Sequence, residues 1–180
     1  MGMSKFKTGD AALVVFPPKS IREKIDKWRR LYDPYCKIIL PHITMSYPFM
    51  GERVWRMNRD AAASTIAKFA PFKVFLRQTY FFNGKPRVLW LRPEDGGELN
   101  SIHESLKRKF PKHVASSGFE YIPHLSIGFF DSVRALRSAW HVVSDGWKPA
   151  VFKVDRIYHI VYTERGRWSI NDTLALKQKK

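Results

Sequence analysis

The chain is poor in cysteine and in acidic side chains, and it has no long apolar segment. Its single cysteine, Cys36, cannot form an internal disulfide and leaves no basis for a cysteine-rich metal site. No uninterrupted apolar run approaches the roughly 18 to 20 residues that a membrane-spanning helix needs. The residues after Met1 lack the apolar core of a signal peptide. These absences predict a cytoplasmic protein without a membrane segment.

The shortage of acidic residues leaves a strongly basic chain. There are 16 Asp and Glu against 32 Lys and Arg, which gives a formal net charge of +16 over 180 residues. A field of this sign favours polyanions, so nucleic acid is the obvious class of partner. Charge alone specifies no reaction.

Hydrophobic periodicity divides the chain into alternating strands and helices. Apolar runs predict strands over 11–16, 37–49, 72–82, 87–91, 121–130, 151–162 and 168–176. Stripes with helical spacing predict helices over 20–32, 58–69, 98–110 and 133–143. Asn83-Gly84 predicts a tight hairpin turn, and Asp131 or Ser132 is a candidate helix cap. The basic residues of the first helix, Arg29 among them, are assigned to a solvated face.

Short segments repeat in the same order in the two halves of the chain. The pentapeptide Pro41-His42-Ile43-Thr44-Met45 is echoed 82 residues later by Pro123-His124-Leu125-Ser126-Ile127. Phe72-Lys73-Val74 recurs after 80 residues as Phe152-Lys153-Val154. The matches indicate a duplicated unit, with lobes over approximately 11–85 and 86–176 of a single domain.

The order of elements predicts the fold class. Hairpins and helices in this arrangement are typical of an α+β fold with two mainly antiparallel sheets and helices on the outer side. We expect the two lobes to be related by a pseudo-two-fold axis that passes through a central cleft.

Strand alternation separates the polar from the apolar residues of the two motifs. The polar face is predicted to hold His42, Thr44, Ser46, His124, Ser126 and Gly128. The core face is predicted to hold Ile43, Met45, Tyr47, Leu125, Ile127 and Phe129. A pseudo-two-fold axis between the strands would place two imidazoles and two hydroxyls across one cleft.

This set of groups suits phosphate-ester chemistry. An imidazole with a pKa near ~6.5 acts as base or acid close to neutrality, so one histidine can activate water while the other protonates the leaving oxygen. Hydroxyl groups can donate to the non-bridging phosphate oxygens. The scheme requires no metal and no cofactor, and the His-x-Thr and His-x-Ser spacing is not that of a zinc site.

The paired segments resemble the two His-x-(Thr/Ser)-x motifs of the two-histidine phosphoesterase superfamily, which includes 2′-5′ RNA ligase-like proteins and RNA cyclic phosphodiesterases. Segment 86–91, Pro-Arg-Val-Leu-Trp-Leu, is similar to the strand between the motifs, and segments 14–17 and 32–34 are most similar to a compact bacterial branch. The resemblance covers residues 11–176. It implies that His42 and His124 are the acid/base pair, that Thr44 and Ser126 bind phosphate, and that the substrate is an RNA end with a cyclic or 2′-5′ phosphodiester.

One position departs from the family pattern, because Phe129 stands where many members carry a basic residue. Candidates for further substrate contacts are Phe130, Phe82 and Tyr80, by base stacking, and Arg165, by binding phosphate; core packing and a solvated turn are the competing interpretations. The other histidines, His103, His113, His141 and His159, are assigned structural or surface roles.

Two alternative functions stay open, a non-catalytic RNA-binding module with the same cleft and an esterase for a small cyclic nucleotide. We expect a monomer.

Overall fold

The structure, a computed structural model, describes residues 6–114 and 120–177. In chain order these residues form β1 (Ala11–Val15), α1 (Lys19–Tyr32), β2 (Ile43–Ser46), α2 (Glu52–Ile66), β3 (Phe72–Phe82), β4 (Arg87–Glu94), α3 (Glu98–Lys109), β5 (Leu125–Phe130), α4 (Val133–Gly146), β6 (Ala150–Val154), β7 (Arg156–Tyr162) and β8 (Trp168–Ala175).

The strands form two four-stranded sheets. Sheet 1 has the order β2-β1-β7-β8 and sheet 2 the order β5-β4-β3-β6, and every neighbouring pair is antiparallel. The strand of each histidine motif, β2 or β5, lies at the edge of its sheet. Its neighbour in the sheet is the strand that comes before it in the chain, β1 or β4, and one helix connects the two. The predicted α+β fold with two antiparallel sheets is confirmed. The division into lobes at 11–85 and 86–176 stays a prediction, and each sheet combines strands from both ranges.

One buried cluster joins both sheets to the helices. Leu13 and Val15 of β1 belong to the same cluster as Leu89 and Leu91 of β4, together with apolar residues of all four helices named above. Full burial of one such side chain contributes about 1.5 to 3 kcal/mol, so the shared cluster ties the two sheets into one unit. The alternate residues of β1, Ala12 and Val14, pack with Ile160 in a second cluster on the opposite face of sheet 1.

The predicted strand over 151–162 is wrong, because it is two strands in different sheets. β6 pairs with β3 in sheet 2, and β7 pairs with β1 in sheet 1. The apolar spacing shows the reason: Phe152 and Val154 are buried two apart, whereas the next buried residue, Ile157, follows after three. Asp155 lies at the break, where its carbonyl accepts the Leu176 N–H at 2.8 Å.

The repeated tripeptides are neighbours in sheet 2. Phe72 pairs with Val154, Lys73 with Lys153 and Val74 with Phe152, so each tripeptide is the antiparallel partner of its own echo.

Several predicted boundaries move. β2 is shorter than 37–49 because Tyr35 to Ile39 form turns closed by the Tyr35 carbonyl. α2 begins six residues before its predicted start, at Glu52. The connection between β3 and β4 spans residues 83–86, and Gly84 is not among the described glycines with positive φ. The connection is therefore not the two-residue turn that Asn83-Gly84 predicts. Ser132 does cap α4, with its hydroxyl accepting the Ala135 N–H at 3.1 Å.

Candidate active site

The two histidine motifs meet in one cleft between the edge strands of the sheets. His42, Thr44, His124 and Ser126 all line it, in a cavity of about 320 Å³. The structure therefore brings together the four residues on which the sequence prediction depends. The remaining wall is largely aromatic and includes one buried ion pair.

Both imidazoles are anchored in the same way. His42 Nδ1–H donates to the Leu40 carbonyl oxygen at 2.7 Å, and His124 Nδ1–H donates to the Ile122 carbonyl oxygen at 2.8 Å. A carbonyl can only accept, so Nδ1 carries the proton and Nε2 stays available in the cleft. Each acceptor lies two residues before its histidine, across a proline that fixes the local backbone.

Both histidines are held neutral by their surroundings. Burial lowers the pKa of His42 to about 4, and the positive charges of Arg29 and protonated His124 act in the same direction. Burial also lowers the pKa of His124. In each case the hydrogen bond to the backbone carbonyl opposes the shift. An anionic phosphate in the cleft raises both pKa values, because it stabilises the protonated forms.

A β-bulge follows the hydroxyl residue of each motif. Met45 has no partner on β1, and Ile127 has none on β4, so the pairing skips one residue at equivalent positions of β2 and β5. A bulge reverses the alternation beyond it. The predicted faces are therefore wrong after Met45 and Ile127: Ser46 and Gly128 are buried, whereas Tyr47 and Phe129 line the cleft.

Gly128 lies where α1 crosses β5. A Cβ at this position would be 2.4 Å from Tyr32 Cβ, which shows how closely the helix packs on the strand. Phe130 is turned to the same side and packs on Tyr32, with ring centroids 5.6 Å apart. Phe130, a predicted substrate contact, is thus placed away from the cleft lining.

The other predicted stacking residues, Phe82 and Tyr80, are not among the residues that line the cleft. The Phe82 ring meets the His124 ring edge-on, with centroids 5.3 Å apart. Trp90 stacks between Phe82, at 4.8 Å, and Tyr80, at 5.3 Å, so Tyr80 is one ring further from His124. Arg165 is exposed in the turn before β8 and does not line the cleft. The sequence patterns did not predict Trp90 as a site residue.

The assignment of Arg29 to a solvated face is wrong, because the side chain is only 2% exposed and lines the cleft. Its guanidinium donates to Asp33 at 2.8 Å, to Asp26 at 3.0 Å and to the Ile39 carbonyl at 2.9 Å. These partners explain how a charge is tolerated at this depth, since a buried cation without partners is strongly destabilising. Asp33, four residues after Arg29, was the available sequence signal.

Aromatic side chains from distant parts of the chain close the cleft. The Phe6 ring contacts Tyr35 at 5.6 Å and Trp168 at 5.3 Å, and Tyr35 contacts Phe129 at 5.4 Å. Trp168 Nε1 is buried without a hydrogen-bond partner in the described part of the chain. No local pattern marked these residues.

Tyr121 and His103 hold the first motif from behind. The Tyr121 hydroxyl donates to the Thr44 carbonyl at 2.8 Å, and His103 Nδ1–H donates to the Met45 carbonyl at 2.7 Å. Their rings are stacked, with centroids 4.0 Å apart. These two side chains from the second half of the sequence therefore fix the backbone around the bulge of β2.

The remaining histidines lie elsewhere. His159 is fully buried, donates to the Met50 carbonyl at 2.8 Å and stacks on Trp55 at 4.1 Å. His141 is exposed on α4, and His113 is half-buried after α3.

Within residues 6–114 and 120–177, no three His, Cys, Asp or Glu side chains come together as metal ligands. None of the helices in these ranges is long and apolar enough to cross a membrane.

Comparison with known proteins identifies the family. A sequence model of the 2′-5′ RNA ligase superfamily matches residues 17–166, which is most of the chain. The chain belongs to the 2′-5′ RNA ligase superfamily. A proposed phosphoesterase of Geobacillus kaustophilus is 25% identical over 177 residues, covering 93% of this chain and 96% of the relative. A second, from Bacillus cereus strain ATCC 10987, is 28% identical over 170 residues, covering 91% and 95%.

The fold agrees with the superfamily assignment. The crystal structure of Escherichia coli LigT complexed with 3′-AMP superposes with a TM-score of 0.64 at 18% identity, covering 96% of this chain and 100% of LigT. The resemblance to the two-histidine phosphoesterases is thereby confirmed for the family and the fold.

Proposed function

We propose that this protein is a phosphodiesterase of RNA ends that uses His42 and His124 as its general acid/base pair. It opens a 2′,3′-cyclic phosphate to a 2′-phosphate, or joins such an end to a 5′-hydroxyl through a 2′-5′ bond. The observation that carries the proposal is the matched pair of imidazoles, each with Nδ1 fixed to the backbone and Nε2 available, in one cleft with two hydroxyl groups. The LigT complex with 3′-AMP supports a nucleotide as ligand.

We assign the base to His42, whose pKa burial lowers to about 4, and the acid to His124, whose pKa bound phosphate raises again. A group with a pKa of about 4 is unprotonated near neutrality, so His42 Nε2 takes the proton of the attacking water as its oxygen bonds to phosphorus. The bond from phosphorus to the 3′ oxygen breaks, and His124 Nε2–H protonates that oxygen. Thr44 and Ser126 donate to the non-bridging oxygens, where charge develops. A 5′-hydroxyl in place of water gives the 2′-5′ phosphodiester by the same steps.

A panel of substrates tests the proposal. An RNA oligonucleotide ending in a 2′,3′-cyclic phosphate is incubated with the protein, with and without chelator, and the products are identified by mass. We expect chelator to have no effect. We expect His42→Ala and His124→Ala each to slow the chemical step by about 10²- to 10⁴-fold, while binding of the 2′-phosphate product is largely kept.

His141→Ala is the matched control, because His141 is exposed on α4 outside the cleft. Turnover by His42→Ala or His124→Ala equal to that of His141→Ala contradicts the proposed roles. Salt-sensitive binding of RNA with no product from any substrate favours the non-catalytic alternative instead.

A small cyclic nucleotide is the competing substrate, and the size of the cleft favours it. A volume of about 320 Å³ is at the lower end of ligand-binding clefts and accommodates one nucleotide. Phe129 presents an apolar ring where a cation would contact a further phosphate. Including nucleoside 2′,3′-cyclic monophosphates in the panel decides between the two substrates.

The proposal includes a cytoplasmic location and a monomer that needs no cofactor. A light-scattering mass near the chain mass of 21.1 kDa is the expected result for the monomer.

A further inference from the structure

A second concavity lies on the same face of sheet 1 as the histidine cleft. It has a volume of about 440 Å³, and its wall includes Phe16, Arg22, Lys153, Asp155, Tyr158 and Ile170. Phe16 and Tyr158 pack on the cluster of Ala12, Val14 and Ile160, as do Ile39 and Trp168 of the histidine cleft. The two concavities therefore share one floor.

A single aromatic side chain separates this concavity from the catalytic histidine. The Phe16 ring centroid is 6.3 Å from that of His42 and 6.0 Å from the guanidinium carbon of Arg22. Phe16 also packs on Tyr158, with centroids 5.1 Å apart. An RNA chain with its reacting phosphate at His42 can therefore pass over Phe16 and bring its next phosphate to Arg22.

The concavity carries more positive charge than the one carboxylate in its described wall neutralises. Arg22 Nε is buried and has no hydrogen-bond partner in the described residues. Lys153 lies directly opposite Lys73 on the neighbouring strand, and like charges in that position are destabilising. The carboxylate in the wall, Asp155, accepts from two nitrogens of Arg156, at 2.7 and 3.1 Å, and these bonds together with the charge of Lys153 lower its pKa.

The other nearby acid is also paired. Glu23, beside Arg22 on α1, lies 3.8 Å from Lys19. The Arg22 guanidinium and two facing lysines are cations that a phosphate monoanion pairs with, since it accepts several charge-assisted hydrogen bonds.

We infer that this concavity, the flanking-phosphate pocket, binds the phosphodiester next to the reacting one, and so selects an oligonucleotide end over a mononucleotide. The inference rests on the proposed function, which supplies the reacting phosphate at His42. It also gives a role to a basic surface that the small histidine cleft leaves unused.

The test compares two substrates in one pair of variants. For each protein, kcat/KM is measured on a trinucleotide ending in a 2′,3′-cyclic phosphate and on the nucleoside 2′,3′-cyclic monophosphate. In Arg22→Gln/Lys153→Gln we expect the ratio of the two values to fall about tenfold or more, because the variant cannot form two charge-assisted hydrogen bonds to the flanking phosphate.

The control variant is Arg56→Gln/Lys109→Gln, which removes the same charge from exposed positions on α2 and α3. Its ratio is expected to match that of the unmodified protein. An equal fall in both variants, or no fall in the first, overturns the inference.

A binding measurement separates this inference from the proposed function. Calorimetric titration with the trinucleotide 2′-phosphate at several salt concentrations gives the slope of log K against log[salt]. Removing one cation that pairs with a phosphate reduces this slope by about 0.7 for a single strand. If no substrate is turned over, the proposed function fails, and the slope alone decides: a reduced slope in Arg22→Gln/Lys153→Gln supports the pocket, and an unchanged slope refutes it.

Discussion

Replacing Gly128 by alanine tests the contact between the second motif strand and α1. The added Cβ would lie 2.4 Å from Tyr32 Cβ, 3.0 Å from the Tyr32 carbonyl oxygen and 3.1 Å from a ring carbon of Phe130. The first two atoms are rigid parts of the last turn of α1, so no rotamer change relieves the overlap. The helix must move away from β5.

The size of the effect follows from this geometry. Carbon atoms in contact are about 3.5 to 4.0 Å apart, so α1 must shift by about 1 Å or more. Overpacking of this kind costs about 1 to 3 kcal/mol, and the entropic benefit of alanine in the unfolded chain returns only about 0.4 to 1 kcal/mol. We expect a net loss of about 1 kcal/mol in the free energy of unfolding, and a fall in Tm of about 2 to 4 °C for a domain of this size.

Urea unfolding followed by tryptophan fluorescence measures this loss, with Gly84→Ala as the matched control. A Cβ at Gly84 meets nothing within 4 Å, and Gly84 is not among the described glycines with positive φ, so we expect a change within about 0.5 kcal/mol. Activity should fall as well, because Arg29 belongs to the displaced turn of α1 and lines the cleft. Equal midpoints for the two variants would refute the proposed close packing of α1 on β5.

Two further predictions concern the site. The pKa values of both histidines in the free enzyme lie below the ordinary value of ~6.5, so the alkaline limb of the kcat/KM profile should lie below that pH. The alkaline limb of the kcat profile should lie at higher pH, because bound phosphate raises both pKa values. Coincident alkaline limbs near or above ~6.5 would contradict the lowered pKa values. Tyr121→Phe removes the hydrogen bond to the Thr44 carbonyl and should lower the free energy of unfolding by about 1 kcal/mol, whereas Tyr80→Phe, whose exposed hydroxyl donates to Gln78, should leave it nearly unchanged in the same urea assay.

The parts of the fold that were predictable from sequence depend on local spacing. The alternation of side chains along a strand and the duplication of the motif were sufficient to predict that His42 and His124 share one cleft. Up to its hydroxyl residue, each motif lies in a regular strand or in the residues that lead into it. The bulges at Met45 and Ile127 were not predictable, since neither residue is a glycine or proline that would mark an irregularity. The faces of Tyr47 and Phe129 were therefore not predictable either.

The burial of Arg29 needed tertiary information. Its third partner, the Ile39 carbonyl, is presented by turns in a segment whose apolar pattern predicts a long strand. The break at Asp155 could have been read from the sequence, because the spacing of buried residues changes from two to three across it. The aromatic wall could not, since Phe6, Tyr35 and Trp168 share no spacing.

The strand order has a consequence for how the protein is made. β1 lies between β2 and β7, although β7 follows β1 by more than half of the sequence. β1 therefore keeps one edge unpaired until β7 has been synthesised, and contacts of such long range slow folding. The histidine cleft, whose floor needs both β1 and β7, forms only after β7 has been synthesised. A nascent chain that stops before β7 should thus lack the proposed phosphodiesterase activity.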